Sequence, residues 1–276
     1  MLQIRYGNYG RPNDLSIAAS VVTPPPIVTT VVGMLFMVFS LVFISANVIV
    51  IRIITTNREF YKHSSYRLMA GIGAADIGYS ATHFADGAFI VARRSPRNLK
   101  NPPWLYWLGR FLDAAPSPLY VSYVLLTAVL ALNRFVTAFS PSIERRFFRK
   151  RSLIVWIGLV EIMAITFFVV YMSPYARLTL FWERLNTGQL ETMPWAYHIY
   201  RIAIFMEIGA IFIPTLLYFA TFLILVQKKM KKPNHSFLNG LGVEWRILLQ
   251  SMAFTGYITL SRSLWYVSQL SFAHRN

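Results

Sequence analysis

No cysteine occurs in the 276 residues. Disulfides, thiolate metal ligands, a cysteine nucleophile and palmitoylation are therefore excluded at once. Acid is scarce too: 11 Asp and Glu stand against 27 Lys and Arg, a formal net charge of +16. The five histidines, His63, His83, His198, His235 and His274, form no HxxxH or HExxH pair, and the chain has neither a phosphate loop nor a GxSxG elbow. Metal and catalytic spacings are thus missing, so the sequence does not read as an enzyme and calls for no cofactor. Internal repeats, low-complexity segments and the two similar halves of many transporters are missing as well.

What the chain does contain is apolar length. Hydrophobic residues make up 55% and aromatics 16%, with a mean hydropathy of +0.47. They gather into long runs rather than alternating. This reads as an all-α, polytopic transmembrane helix bundle, a single membrane domain over residues 1–276. Six spans are expected, near residues 27–54, 65–90, 115–139, 153–173, 198–227 and 243–268. The extended triplet Pro24 to Pro26 bars an earlier start to the first and leaves residues 1–26 as an outer N-terminal segment.

Basic residues sit in short segments between the runs, where they face lipid head groups and cytoplasm, not nucleic acid. The runs RRFFRKR and QKKMKK favour an N-terminus outside the cell, although ARRSPRNLK opposes that orientation locally. The sequon at Asn234 then lies in the cytoplasm. Two longer outer loops are expected, roughly Val91 to Pro116 and Pro174 to Ala196.

Charges and hydroxyls inside the spans mark the candidate sites, because lipid cannot satisfy them. At about 100° per residue, Arg134, Thr127, Tyr123 and Tyr120 share one face of the third span, with Asp113 in a wider sector. Arg134 either snorkels to the membrane edge or serves a function there. Tyr120 and Tyr123 either line a cavity or bond to neighbouring helices and the interfacial belt. On the second span Asp76, Ser80 and His83 share a side, with Asp76 deep. Asp76 is either protonated or holds water or a cation together with Asn47, and His83 is either a packing residue or a ligand contact. Glu244, at the cytoplasmic start of the sixth span, is in reach of Arg134, though Arg246 and the preceding lysines compete for it.

These positions resemble the rhodopsin-like G-protein-coupled receptors and, more narrowly, the nematode serpentine chemoreceptors of the Srg superfamily, its Srg and Srv classes included. Asn47 in ANVIVI resembles the family's first-helix asparagine, and Asp76 its second-helix aspartate. Asn133-Arg134-Phe135 followed by Pro141 has the spacing of the aspartate-arginine-tyrosine motif and its loop proline. Trp156, Pro214 and the segment GVEWRILLQS continue the order, so the resemblance covers roughly residues 27–260.

The resemblance implies a small-molecule ligand in an outer cavity lined by Tyr120, Tyr123 and His83. It implies a heterotrimeric G protein at Arg134, with Glu244 as its resting restraint and Asn47 and Asp76 as a polar hinge. Lipid or an acidic partner would meet Arg145, Arg149, Lys228 and Lys231. The departures are Asn133 in place of an acid, the absence of any cysteine to tether the third helix, and no segment matching a seventh helix. The other reading is a six-span membrane protein that does not signal, either a transporter or channel, or a truncated receptor that associates with full-length partners.

Overall fold

The computed structural model describes residues 24–96, 102–181, 185–189 and 193–231. They form eight helices and one hairpin: α1 (Pro26–Thr56), α2 (Arg58–Lys62), α3 (Ser64–Val91), α4 (Pro103–Ala114), α5 (Pro116–Phe139), α6 (Pro141–Phe147), α7 (Lys150–Met172) and α8 (Ala196–Lys231), with β1 (Leu178–Phe181) and β2 (Asn186–Gln189) between α7 and α8. The chain is an all-α transmembrane bundle. Among the described residues, Pro26–Thr56, Pro103–Phe139 and Lys150–Met172 are long and apolar enough to cross a membrane. In α8 the apolar stretch is shorter, Phe212–Lys228. The expected sixth span, 243–268, lies outside the described residues.

Prolines punctuate the helices as their missing N–H predicts. Pro26 opens α1, and Pro103 and Pro141 occupy the first turns of α4 and α6. Pro214 lies inside α8, where it frees a carbonyl one turn earlier. Asn57 caps α2, its side-chain oxygen accepting the Glu59 N–H at 3.0 Å. At the end of α3 the Arg93 N–H bonds the Ile90 carbonyl and the Arg94 N–H bonds that of Phe89, each at 3.0 Å, with Arg93 at φ 51°. This is a Schellman closure with arginine at the position glycine usually fills.

One expectation about loops is corrected. Within the stretch expected as the first of these loops, Pro103–Ala114 is helix, because Pro102-Pro103 starts α4 and its C-cap Ala115 has helical dihedrals (φ −62°, ψ −34°) directly before α5. A proline at a first turn starts a helix as readily as it stops one. The stretch 174–196 holds the antiparallel hairpin, registered Leu178 to Gln189 and Phe181 to Asn186.

Contacts group the chain into two units. The first comprises Met1–Ala46, Ile77–Leu119 and Ile165–Arg201. Its core is Ala114, Tyr171 and Ala176, with Phe167, Phe168 and Leu178 against them. Here α1 and α3 meet backbone to backbone: a Cβ on Gly87 would stand 2.6 Å from the Gly33 carbonyl oxygen, and one on Gly33 2.7 Å from that of Gly87. Small residues at such a crossing let backbones approach within the membrane.

The second unit comprises Asn47–Asp76, Tyr120–Ala164 and Ile202–Asn276. Leu68, Leu126, Val129, Leu130, Phe148, Leu153 and Val160 form its main core, and Ala131, Tyr218 and Leu225 a second cluster.

Candidate functional site

In the second unit the start of α3, the end of α5 and the start of α6 meet at Asn133, which is fully buried. The Ser65 hydroxyl donates to Asn133 Oδ1 at 2.5 Å, and Asn133 Nδ2 donates to Ser64 Oγ at 3.1 Å. Ser64 in turn donates to Glu144 Oε1 at 2.9 Å. The amide accepts once and donates once, the Ser64 hydroxyl likewise accepts once and donates once, and the chain of donors ends on a carboxylate. Such a fully connected network fixes three elements in register, since leaving any member unsatisfied costs about 1–3 kcal/mol.

The network also explains why residue 133 is not an acid. An aspartate there could not donate to Ser64, and it would set a second carboxylate around the hydroxyl that Glu144 already uses. Arg134 and Phe135 follow directly; both are half-buried, and Phe135 stacks on Phe139 with ring centroids 6.2 Å apart. The local acid that the sequence lacks at position 133 thus enters the same neighbourhood from α6. Sequence reasoning missed Ser64, Ser65 and Glu144. Their signal was weak, because a serine pair opening a helix and an acid in a first turn read as caps.

The polar pair in the membrane-spanning region is direct. Asn47 Nδ2 donates to Asp76 Oδ2 at 2.5 Å, which ties α1 to α3 within the second unit. Gly73 makes room for it, since a Cβ there would lie 3.3 Å from Asn47 Oδ1. Among the described residues no group of three or more His, Asp or Glu is placed to hold a metal ion.

Tyr120 and Tyr123 are half-buried on α5 in the second unit, and the Thr127 hydroxyl bonds the Tyr123 carbonyl of its own helix at 2.8 Å. His83 belongs to the first unit, with Nδ1 3.4 Å from Asp86 Oδ2 and the rings of Tyr79 and Phe36 edge-on at 4.4 and 5.8 Å. Asp113, expected to continue the stripe of the third span, instead sits on α4 and pairs with Arg177. Glu244 lies outside the described residues. Arg145, Arg149 and Lys228 are exposed, and Lys228 Nζ donates to the Ala138 carbonyl at the end of α5.

Comparison with known proteins adds an independent line. The family model described as serpentine type 7TM GPCR chemoreceptor Srx matches residues 95–271. This is a match to Srx rather than to the Srg and Srv classes that the motifs resembled. The structure of squid rhodopsin is similar with a TM-score of 0.69 at 15% identity, over 87% of this chain and 71% of that one. At that identity the likeness speaks for the fold alone. No curated protein matches the chain.

Proposed function

Because the chain belongs to the serpentine type 7TM GPCR chemoreceptor Srx family, we propose that it binds a small extracellular molecule and passes the event to a heterotrimeric G protein through the Arg134 segment of α5. The family and the rhodopsin-like fold make it a chemoreceptor-like integral membrane protein of the plasma membrane, a receptor class that is generally not enzymatic. Ligand, G protein and orientation are the further step. In this reading the N-terminus is extracellular, and RRFFRKR meets the cytoplasm and its anionic lipids.

The observation that carries the proposal is the Asn133 hub. It sets the residue preceding Arg134 in a closed hydrogen-bond network that ends on Glu144. A switch needs a resting arrangement that a ligand's differential affinity of a few kcal/mol can overturn. A network of three hydrogen bonds is of that size. Glu244 is the proposed second restraint, and Tyr120, Tyr123 and His83 are the proposed ligand contacts.

The test does not require the ligand. Ligand-independent nucleotide exchange on co-expressed G proteins is measured for the parent and for Arg134→Ala at matched surface expression. The proposal expects the parent to raise exchange above cells without receptor and the variant to lose that increment. Equal exchange in the two, both above cells without receptor, would overturn the role of Arg134. An epitope at the N-terminus that is accessible only after permeabilisation of cells with surface-localised protein would overturn the orientation.

A further inference from the structure

Within the first unit, α4 carries two charged residues that the receptor reading leaves without a task. Arg177, just before β1, donates to Asp113 Oδ2 from Nε at 3.1 Å and from Nη2 at 2.8 Å. The two side chains are only 11% and 2% exposed. One turn earlier on α4, Arg110 donates through Nη2 to the carbonyls of Ser173 at 2.7 Å, Met172 at 2.8 Å and Tyr171 at 3.4 Å. These are the carbonyls that the end of α7 leaves unsatisfied, and a cation is favoured there. Farther back in the chain, the Ser95 hydroxyl donates to the Leu180 carbonyl on β1 at 2.6 Å. Thr179 and the backbone of Leu180 lie against the Asp113 carboxylate.

The stretch from the end of α7 through β1 is therefore held at three points by side chains that precede α5. An apolar contact would hold it at lower desolvation cost, since a buried ion pair often breaks even against packed hydrophobic residues. What the pair adds is position. A guanidinium on a carboxylate has narrow geometric tolerance, and the chain has no cysteine with which to anchor the stretch covalently.

We infer that Asp113, Arg177 and Arg110 form an ionic latch that seats β1 on α4. They act as positioning residues: they set where β1 lies against α4. This holds whether or not the protein couples to a G protein.

Hydrogen exchange of the purified full chain in detergent tests it, with peptides covering 178–181 compared against peptides from the middle of α7. Asp113→Asn and Arg177→Gln are each expected to speed exchange of the β1 amides by about tenfold or more while mid-α7 peptides keep the parent's protection. The double variant is expected to resemble the worse single one, because each single change strands the other charge. Arg177→Lys keeps the charge and loses the fork, so it is expected to fall between parent and Arg177→Gln and serves if the neutral variants do not fold. Unchanged β1 exchange in Arg177→Gln or, if that variant does not fold, in Arg177→Lys would overturn the latch. So would single effects that simply add, or a uniform loss of protection across α7 and β1.

Discussion

Ser65 and Asn133 are joined hydroxyl to amide oxygen at 2.5 Å, in a place where their exposures are 7% and 0%. Asn133→Leu removes the acceptor for Ser65 and the donor for Ser64 while keeping apolar bulk. Thermal unfolding in detergent is expected to show a loss of about 1–3 kcal/mol for each stranded group. Asn133→Asp is expected to be destabilising too, because its carboxylate joins that of Glu144 around one hydroxyl. Removing Glu144 as well, in Asn133→Asp with Glu144→Gln, should recover part of that loss. Parent-like unfolding of Asn133→Leu would mean that the hub does not hold the three helices.

The Asn47 to Asp76 bond predicts a reciprocal exchange. Asn47→Asp alone replaces the donating amide with a second carboxyl group, and Asp76→Asn alone replaces the accepting carboxyl group with an amide. Combining them rebuilds one amide and one carboxylate on the same pair of helices. The double variant is expected to unfold at a higher temperature than Asn47→Asp, with a coupling of about 0.5–3 kcal/mol. Strict additivity would show that the two side chains do not act on each other.

Two glycine-to-alanine changes should move in opposite directions. Gly87→Ala puts a methyl 2.6 Å from the Gly33 carbonyl oxygen, a backbone atom that cannot turn aside. The α1–α3 crossing must part, and the yield of folded, monodisperse protein is expected to fall severalfold. Gly158→Ala on α7 meets nothing within 4 Å and gains helix propensity of about 0.5–1 kcal/mol. Size-exclusion profiles and melting curves of the two variants decide the matter together, since equal behaviour would contradict the crossing.

Arg93 closes α3 with φ at 51°, a conformation that costs a residue with a Cβ about 1 kcal/mol. Arg93→Gly is expected to raise stability by up to that amount, reduced by the greater freedom of glycine in the unfolded chain. A melting temperature below the parent's would mean that the arginine side chain contributes more than its backbone strain removes.

Hydrophobic runs write themselves into helices almost directly, which is why the spans expected at 65–90 and 153–173 appear as Ser64–Val91 and Lys150–Met172. Segments outside the runs were harder. Pro102, Pro103 and Pro116 look like breaks until one knows that each falls in a first turn or cap, so α4 read as loop. The four-residue strand LTLF has no tight-turn dipeptide after it and offered no hairpin signal. Among site residues, Asn47 and Asp76 could be paired by depth within their spans. The partners of Asn133 and Asp113 could not, because those bonds join residues 64 to 69 positions apart and polar residues near helix ends have local explanations that suffice. The asparagine that seemed a weakened motif proved to be the amide required where α6 already supplies the acid.

The first helix, α1, is longer than the hydrocarbon layer of a bilayer is thick. Its 31 residues extend about 46 Å at about 1.5 Å per residue, against a hydrocarbon layer of about 30 Å. It must lean or push a turn or more into the head groups, and membranes of different thickness change how far. Gly33 and Asn47 are carried along with it, one against the Gly87 backbone and one on the Asp76 carboxylate. Bilayer thickness thereby becomes a mechanical input to both contacts, so the same chain in short-tailed and long-tailed lipids would not be under the same strain.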